Sequence, residues 1–82
     1  MLQVDIEVPV MGRTYEFLID ENLTVETVTV RVASAICIKE QCMSSGNEKN
    51  FMLWDKERRI HLLPEKTVSE MGVAAGSRLL LI

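Results

Sequence analysis

Eighty-two residues bound this chain to one domain near the lower size limit for folding without staples, because a chain this short buries only roughly 60–65% of its unfolded surface. Apolar residues make up 48% and charged residues 26% of it, a globular balance that excludes disorder, and no apolar run approaches the ~18–20 residues of a bilayer span. The net charge is −3 and the nine basic residues are scattered apart from Lys56, Arg58 and Arg59, which speaks against nucleic acid because phosphate contacts need clustered cations.

In chain order, Leu2, Val4, Ile6 and Val8 alternate with Gln3, Asp5 and Glu7, predicting a strand with one wet face. Asp5 and Glu7 also stand where an export signal would be positive and then continuously apolar, so a cytoplasmic protein is expected. Turn chemistry at Pro9 to Gly12 leads into Tyr15, Phe17 and Ile19 alternating with Glu16 and Leu18, which predicts the second strand of a hairpin. Thr24 fits an N-cap, with Glu26 in the first turn where a carboxylate meets the positive end of the helix dipole. Helical spacing aligns Val25, Val28, Val32, Ala35 and Ile36, with Cys42 and Met43 near that stripe and Lys39 intruding on it. The valines and Thr29 make the helix dependent on packing against a sheet.

Ser44 to Asn47 reads as a helix stop and loop. Phe51 to Trp54 predicts a third strand, Asp55 to Arg58 a polar turn, and Arg59 to Leu63 a short fourth strand ended by Pro64. Thr67 to Val73 predicts a short capped helical turn, Ala75-Gly76-Ser77 a bend, and Arg78 to Ile82 the last strand. The expected order is ββαββ, a helical turn, then β, in one α+β domain over residues 1–82.

The stretch from Thr67 to Ile82 (TVSEMGVAAGSRLLLI) resembles ubiquitin-like proteins, which show there a threonine-aliphatic-serine-acid cap, a short turn, an inward aliphatic and a bend into an alternating strand. Thr24-Val25-Glu26 with Val28 inward is a second likeness, and Gly12-Arg13 a third. The resemblance implies a β-grasp fold: a mixed sheet with one main helix packed on one face. Within that superfamily the chain is most similar to small bacterial YukD/EsaB-type proteins associated with type VII secretion, through Asp55-Lys56-Glu57-Arg58, Val68-Ser69-Glu70-x-Gly72-Val73 and Gly76-x-Arg78-Leu79.

That resemblance implies a non-catalytic adaptor that binds a protein, such as a membrane-associated secretion ATPase or channel component, or a second copy of itself. It would be cytoplasmic and recruited to the inner face of the membrane without inserting. The chain ends Leu80-Leu81-Ile82 inside the last strand, without the slim two-glycine tail that an activating enzyme threads and adenylates, so conjugation and thiocarboxylate chemistry are not expected. The alternatives are a modifier or sulfur carrier with a missing tail, and a recruiting domain excised from a larger protein.

No catalytic or cofactor site is expected. His61 has no serine or cysteine to act on and reads as an exposed or half-exposed strand histidine. Cys37 and Cys42 project in different directions from one helix, so no disulfide forms between them, and two thiols complete neither a zinc site nor an iron–sulfur cluster. Cys42 reads as a small core hydrophobe and Cys37 as an ordinary thiol. Asp55, Glu57, Glu65 and Glu70 show no metal-loop spacing and read as solvated surface acids. Gly72 and Gly76 belong to no phosphate loop.

What remains is strand parity. Leu79 and Leu81 match the inward positions of ubiquitin-like folds, a resemblance that implies Arg78, Leu80 and Ile82 face out, and if Phe51 and Leu53 point inward, Met52 and Trp54 face out too. The third and last strands are neighbours in this fold. Met52, Trp54, Leu80 and Ile82 are therefore expected to form an exposed apolar patch rimmed by Arg78, the kind of surface that marks an interface.

Overall fold

The computed structural model describes residues 1–39 and 51–82. Strands β1 (Leu2–Val8) and β2 (Arg13–Ile19) pair antiparallel from Leu2 opposite Ile19 to Val8 opposite Arg13. They are joined by a single 3-10 turn, Pro9–Met11, which Gly12 closes at φ 63° by donating its N–H to Pro9 O at 3.0 Å. Proline presets the start of such a turn and glycine tolerates its left-handed exit.

Helix α1 (Val25–Lys39) begins as the sequence predicts. Thr24 Oγ1 accepts the Thr27 N–H at 3.3 Å and Thr24 O accepts the Val28 N–H at 3.0 Å, satisfying donors that a helix start leaves open. The buried Thr29 hydroxyl donates to Val25 O at 2.7 Å, so this polar group enters the core with its hydrogen bond made.

The remaining strands, β3 (Leu53–Asp55), β4 (Ile60–His61) and β5 (Arg78–Leu81), complete a five-stranded sheet of order β2-β1-β5-β3-β4. β5 lies parallel to β1 and antiparallel to β3, which makes the sheet mixed. Val4, Ile6, Val8, Leu53, Leu79 and Leu81 from the strands meet Val25, Val28, Val32 and Ile36 of the helix, and all are buried. Each such side chain contributes about 1.5–3 kcal/mol on leaving water.

Several boundaries differ from the sequence reading. β3 runs one residue further, to Asp55, and starts at Leu53; Met52 and Ile82 still exchange backbone bonds of 2.8 and 3.0 Å just beyond its end. β4 is only Ile60–His61 because Arg59, at φ 57°, belongs to the preceding turn. Thr67 to Val73 forms hydrogen-bonded turns and not a helix. Its cap is reciprocal, with the Thr67 N–H on Glu70 Oε1 at 2.9 Å and the Glu70 N–H on Thr67 Oγ1 at 3.1 Å. This is a capping box, and it holds Glu70 below its ordinary carboxyl pKa through the Thr67 backbone and side-chain hydrogen bonds.

On α1, Ala33 is buried and Ala35 exposed, the reverse of the expected stripe. The two sit on opposite margins of the apolar face, and only the Ala33 margin is covered. The readings of Cys42, Met43 and the Ser44 to Asn47 loop lie outside the described residues.

Candidate protein-binding surface

The sheet has α1 on one face, and its other face is built by the alternate residues of every strand. The register sets Glu7 beside Leu80, Leu80 beside Trp54, and Trp54 beside His61, so one row crosses four strands. Asp5 stands beside Arg78 in the next row. Met52 and Ile82, bonded to each other through their backbones, lie at the far end.

Exposure follows the alternation. Leu53 and Leu81 are each 1% accessible, whereas Met52 is 44% and Ile82 56% accessible; Trp54 and Leu80 are half-buried and Arg78 is exposed. The structure thus brings all five sequence-predicted residues, Met52, Trp54, Arg78, Leu80 and Ile82, onto one face. The register sets the apolar four along the β3–β5 seam.

Asp55 holds that parity in place, and here the sequence reading is corrected. Asp55 is 4% accessible, not a solvated surface acid. Its carboxylate accepts the backbone N–H groups of Glu57 at 3.0 Å and Arg58 at 3.1 Å, and Arg58 Nε at 2.7 Å. Arg58 Nη2 in turn donates to Met71 O at 2.6 Å. Burial pushes the Asp55 pKa upward, but the Arg58 backbone, the Arg58 guanidinium and the Glu57 N–H outweigh it and leave the carboxyl below its usual value. A charged group anchored inward at Asp55 obliges Trp54, one residue earlier, to face out.

His61 occupies the position across from Trp54 on β4, their ring centroids 5.1 Å apart and tilted by 35°. Its Nε2 is buried and has no hydrogen-bond partner among the described residues. The sequence reading placed His61 on a strand but not in this surface. The alternation of Ile60, His61 and Leu62 carried the signal, yet only the pairing of β4 with β3 shows which residue it meets.

Beside the apolar half lies a polar one. Lys56 Nζ reaches over β5 to Glu7 Oε1 at 3.2 Å, and Asp5, Glu7, Thr14, Lys56 and Arg78 surround a shallow hollow of about 240 Å³. Among the described residues no three His, Cys, Asp or Glu side chains come together as metal ligands, and no helix is long and apolar enough to cross a membrane.

No family model matches this chain, and no curated protein matches it. Solved structures do. The ubiquitin-like domain of Arabidopsis thaliana protein At2g32350 superposes with a TM-score of 0.69 at 18% identity, over 99% of this chain and 74% of that one. The N-terminal ubiquitin-like domain in the 4931431F19Rik protein gives 0.69 at 21% identity, over 99% of this chain and 72% of that one. The strand order, helix α1 across one sheet face and these superpositions together make the fold an α+β ubiquitin-like β-grasp.

Proposed function

We propose that this chain is a non-catalytic protein-interaction module whose outer sheet face is the docking surface. The observation that carries this reading is the contiguous apolar seam of Met52, Trp54, Leu80 and Ile82, with Arg78 at its edge, on the face opposite α1. Tryptophan and arginine are the side chains that most often dominate a protein interface, because each joins a large contact area to a directed polar group. A half-buried tryptophan beside a half-buried leucine loses little entropy when a partner covers them.

The partner we propose is a component of a bacterial type VII, WXG-type secretion apparatus, a membrane-associated ATPase or channel protein that recruits this module to the inner face of the membrane. What supports that choice is the sequence likeness in the Asp55 to Arg58 turn, the Val68 to Val73 turn and the entry into β5. Self-association through the same face is the competing occupant. The test is a pull-down with the intact protein and its Trp54→Ser and Leu80→Ser variants. Both variants should fold and lose the partner, and unchanged capture would remove the sheet face from the reading. Capture of proteins unrelated to an FtsK-like ATPase or WXG-type substrate would remove the secretion assignment alone.

A second reading is a recruiting domain within a larger protein. It is favoured by the neighbour described as the N-terminal domain of its protein. The intact mass of the native gene product separates the two.

A further inference from the structure

The outer sheet face carries a pattern of charge beside its apolar seam. In the row next to that of Leu80 and Trp54, the register sets Glu16 beside Asp5 and Asp5 beside Arg78, and the Lys56 N–H donates to Arg78 O at 3.0 Å. The sign of charge therefore changes once across the sheet, between β1 and β5. Lys56 and Glu7 are engaged with each other at 3.2 Å. Asp5 and Arg78, although neighbours in register, form no ion pair among the described residues, and both line the hollow of about 240 Å³ on this face. Two charges of opposite sign thus stand unpaired at one end of the seam. Water screens such charges, and a partner that excludes it strengthens whatever each then meets.

We propose that this row selects and orients the partner: a helix of a different protein lies along β5 with its apolar stripe on Met52, Trp54, Leu80 and Ile82. An acidic side chain at one end of that stripe meets Arg78, and basic side chains along one flank meet Asp5 and Glu16. The inference rests on the sheet face being the docking surface. The dimensions suit a helix. Successive outward residues of a strand are about 6.6 Å apart, close to the ~5.4 Å of one helical turn, and a helix about 10 Å across reaches from β5 to the strands on either side. A second copy of this chain does not supply it through α1, which already buries Val25, Val28, Val32 and Ile36 against its own sheet. Charges arranged in this way fix register and exclude wrong partners more than they add affinity. Turned end for end, the helix would carry its acid away from Arg78 and its basic flank away from Asp5.

The test titrates the isotopically labelled protein with three capped, helix-forming peptides that share one leucine stripe. The first carries glutamate at one end of the stripe and lysines on the flank that faces β1 when the glutamate lies over Arg78. The second has glutamates in place of the flank lysines, and the third has lysine in place of the end glutamate. All three should shift the Trp54 and Leu80 resonances, and the first should bind about threefold or more tightly than the others, as exposed charge pairs allow. A spin label at its glutamate end should broaden Arg78 more than Ile82. Asp5→Lys should turn the preference toward the second peptide and Arg78→Glu toward the third, while Asp5→Asn and Arg78→Gln should erase the corresponding preference. Equal affinity for the three peptides, with Trp54 and Leu80 still shifting, would overturn the role of the row and leave the sheet face standing. No shift at Trp54 and Leu80 with any peptide would remove the sheet face and the row together. Dimerisation of the free protein through Trp54 that blocks the peptides would assign the seam to a second copy and overturn the proposal as well.

Discussion

Asp55 and Arg58 form a closed pair, carboxylate to Nε at 2.7 Å, in which the acid is 6% and the base 45% accessible at the side chain. The pair ties the β3–β4 turn to Met71 O, so the outward setting of Trp54 depends on a charge buried on the opposite side of the strand. Replacing Asp55 by alanine leaves the Glu57 and Arg58 N–H groups without their acceptor. The expected loss is about 2 kcal/mol of unfolding free energy, measured by urea denaturation, with Asp55→Asn losing less because an amide oxygen can still accept.

That pair also sets a pH dependence. The folded Asp55 carboxyl stays charged below the ordinary value of 3.8, so on acidification the unfolded chain takes up the proton first. Its stabilisation is complete above the ordinary value and is lost as pH falls through the folded one. The stability gap between the parent protein and Asp55→Asn should therefore narrow steadily on acidification below ~pH 5. A gap that stayed constant across that range would show the carboxylate charge to be irrelevant.

Gly72 tests the other end of the same contact. It sits at φ 77°, and a Cβ there would lie 2.9 Å from Arg58 Nη1. Gly72→Ala should cost about 1–2 kcal/mol, part from the left-handed backbone and part from displacing the guanidinium. In the Arg58→Ala background the second part should vanish. The two substitutions are then expected to be less than additive in a double-mutant cycle.

The helix start provides a control remote from the surface. Thr24→Ala should destabilise by about 1 kcal/mol through loss of the acceptor for the Thr27 N–H, and Thr24→Ser should restore most of it. Thermal unfolding distinguishes the two.

Parity itself is measurable at neighbouring positions. Leu53→Ala, in the core at 1% accessibility, should cost about 2–5 kcal/mol, whereas Leu80→Ser on the outer face should cost about 1 kcal/mol or less. Trp54 is the single tryptophan. Its emission should move to shorter wavelength when a partner covers the β3–β5 seam.

Much of this molecule is legible in the order of its residues. Period-two alternation in Leu2 to Val8 showed which of its residues share a face, while in Arg78 to Leu81 the likeness to ubiquitin-like chains set Leu79 and Leu81 inward, and Arg78 and Leu80 then face out because side chains along a strand alternate whatever the strand pairs with. Thr24 and Thr67 announced their caps because capping is a contact between near neighbours. What the tertiary structure alone decided are relations between distant segments. Asp55 and Arg58 stand in a polar run that reads as an exposed turn; the donors to the carboxylate are local, but the carbonyl of Met71 that holds the Arg58 guanidinium over it is delivered by another loop. The row from Glu7 through Leu80 and Trp54 to His61 likewise exists only in the register of four strands. Alternation dictates which way a side chain faces, but long-range pairing decides what it faces.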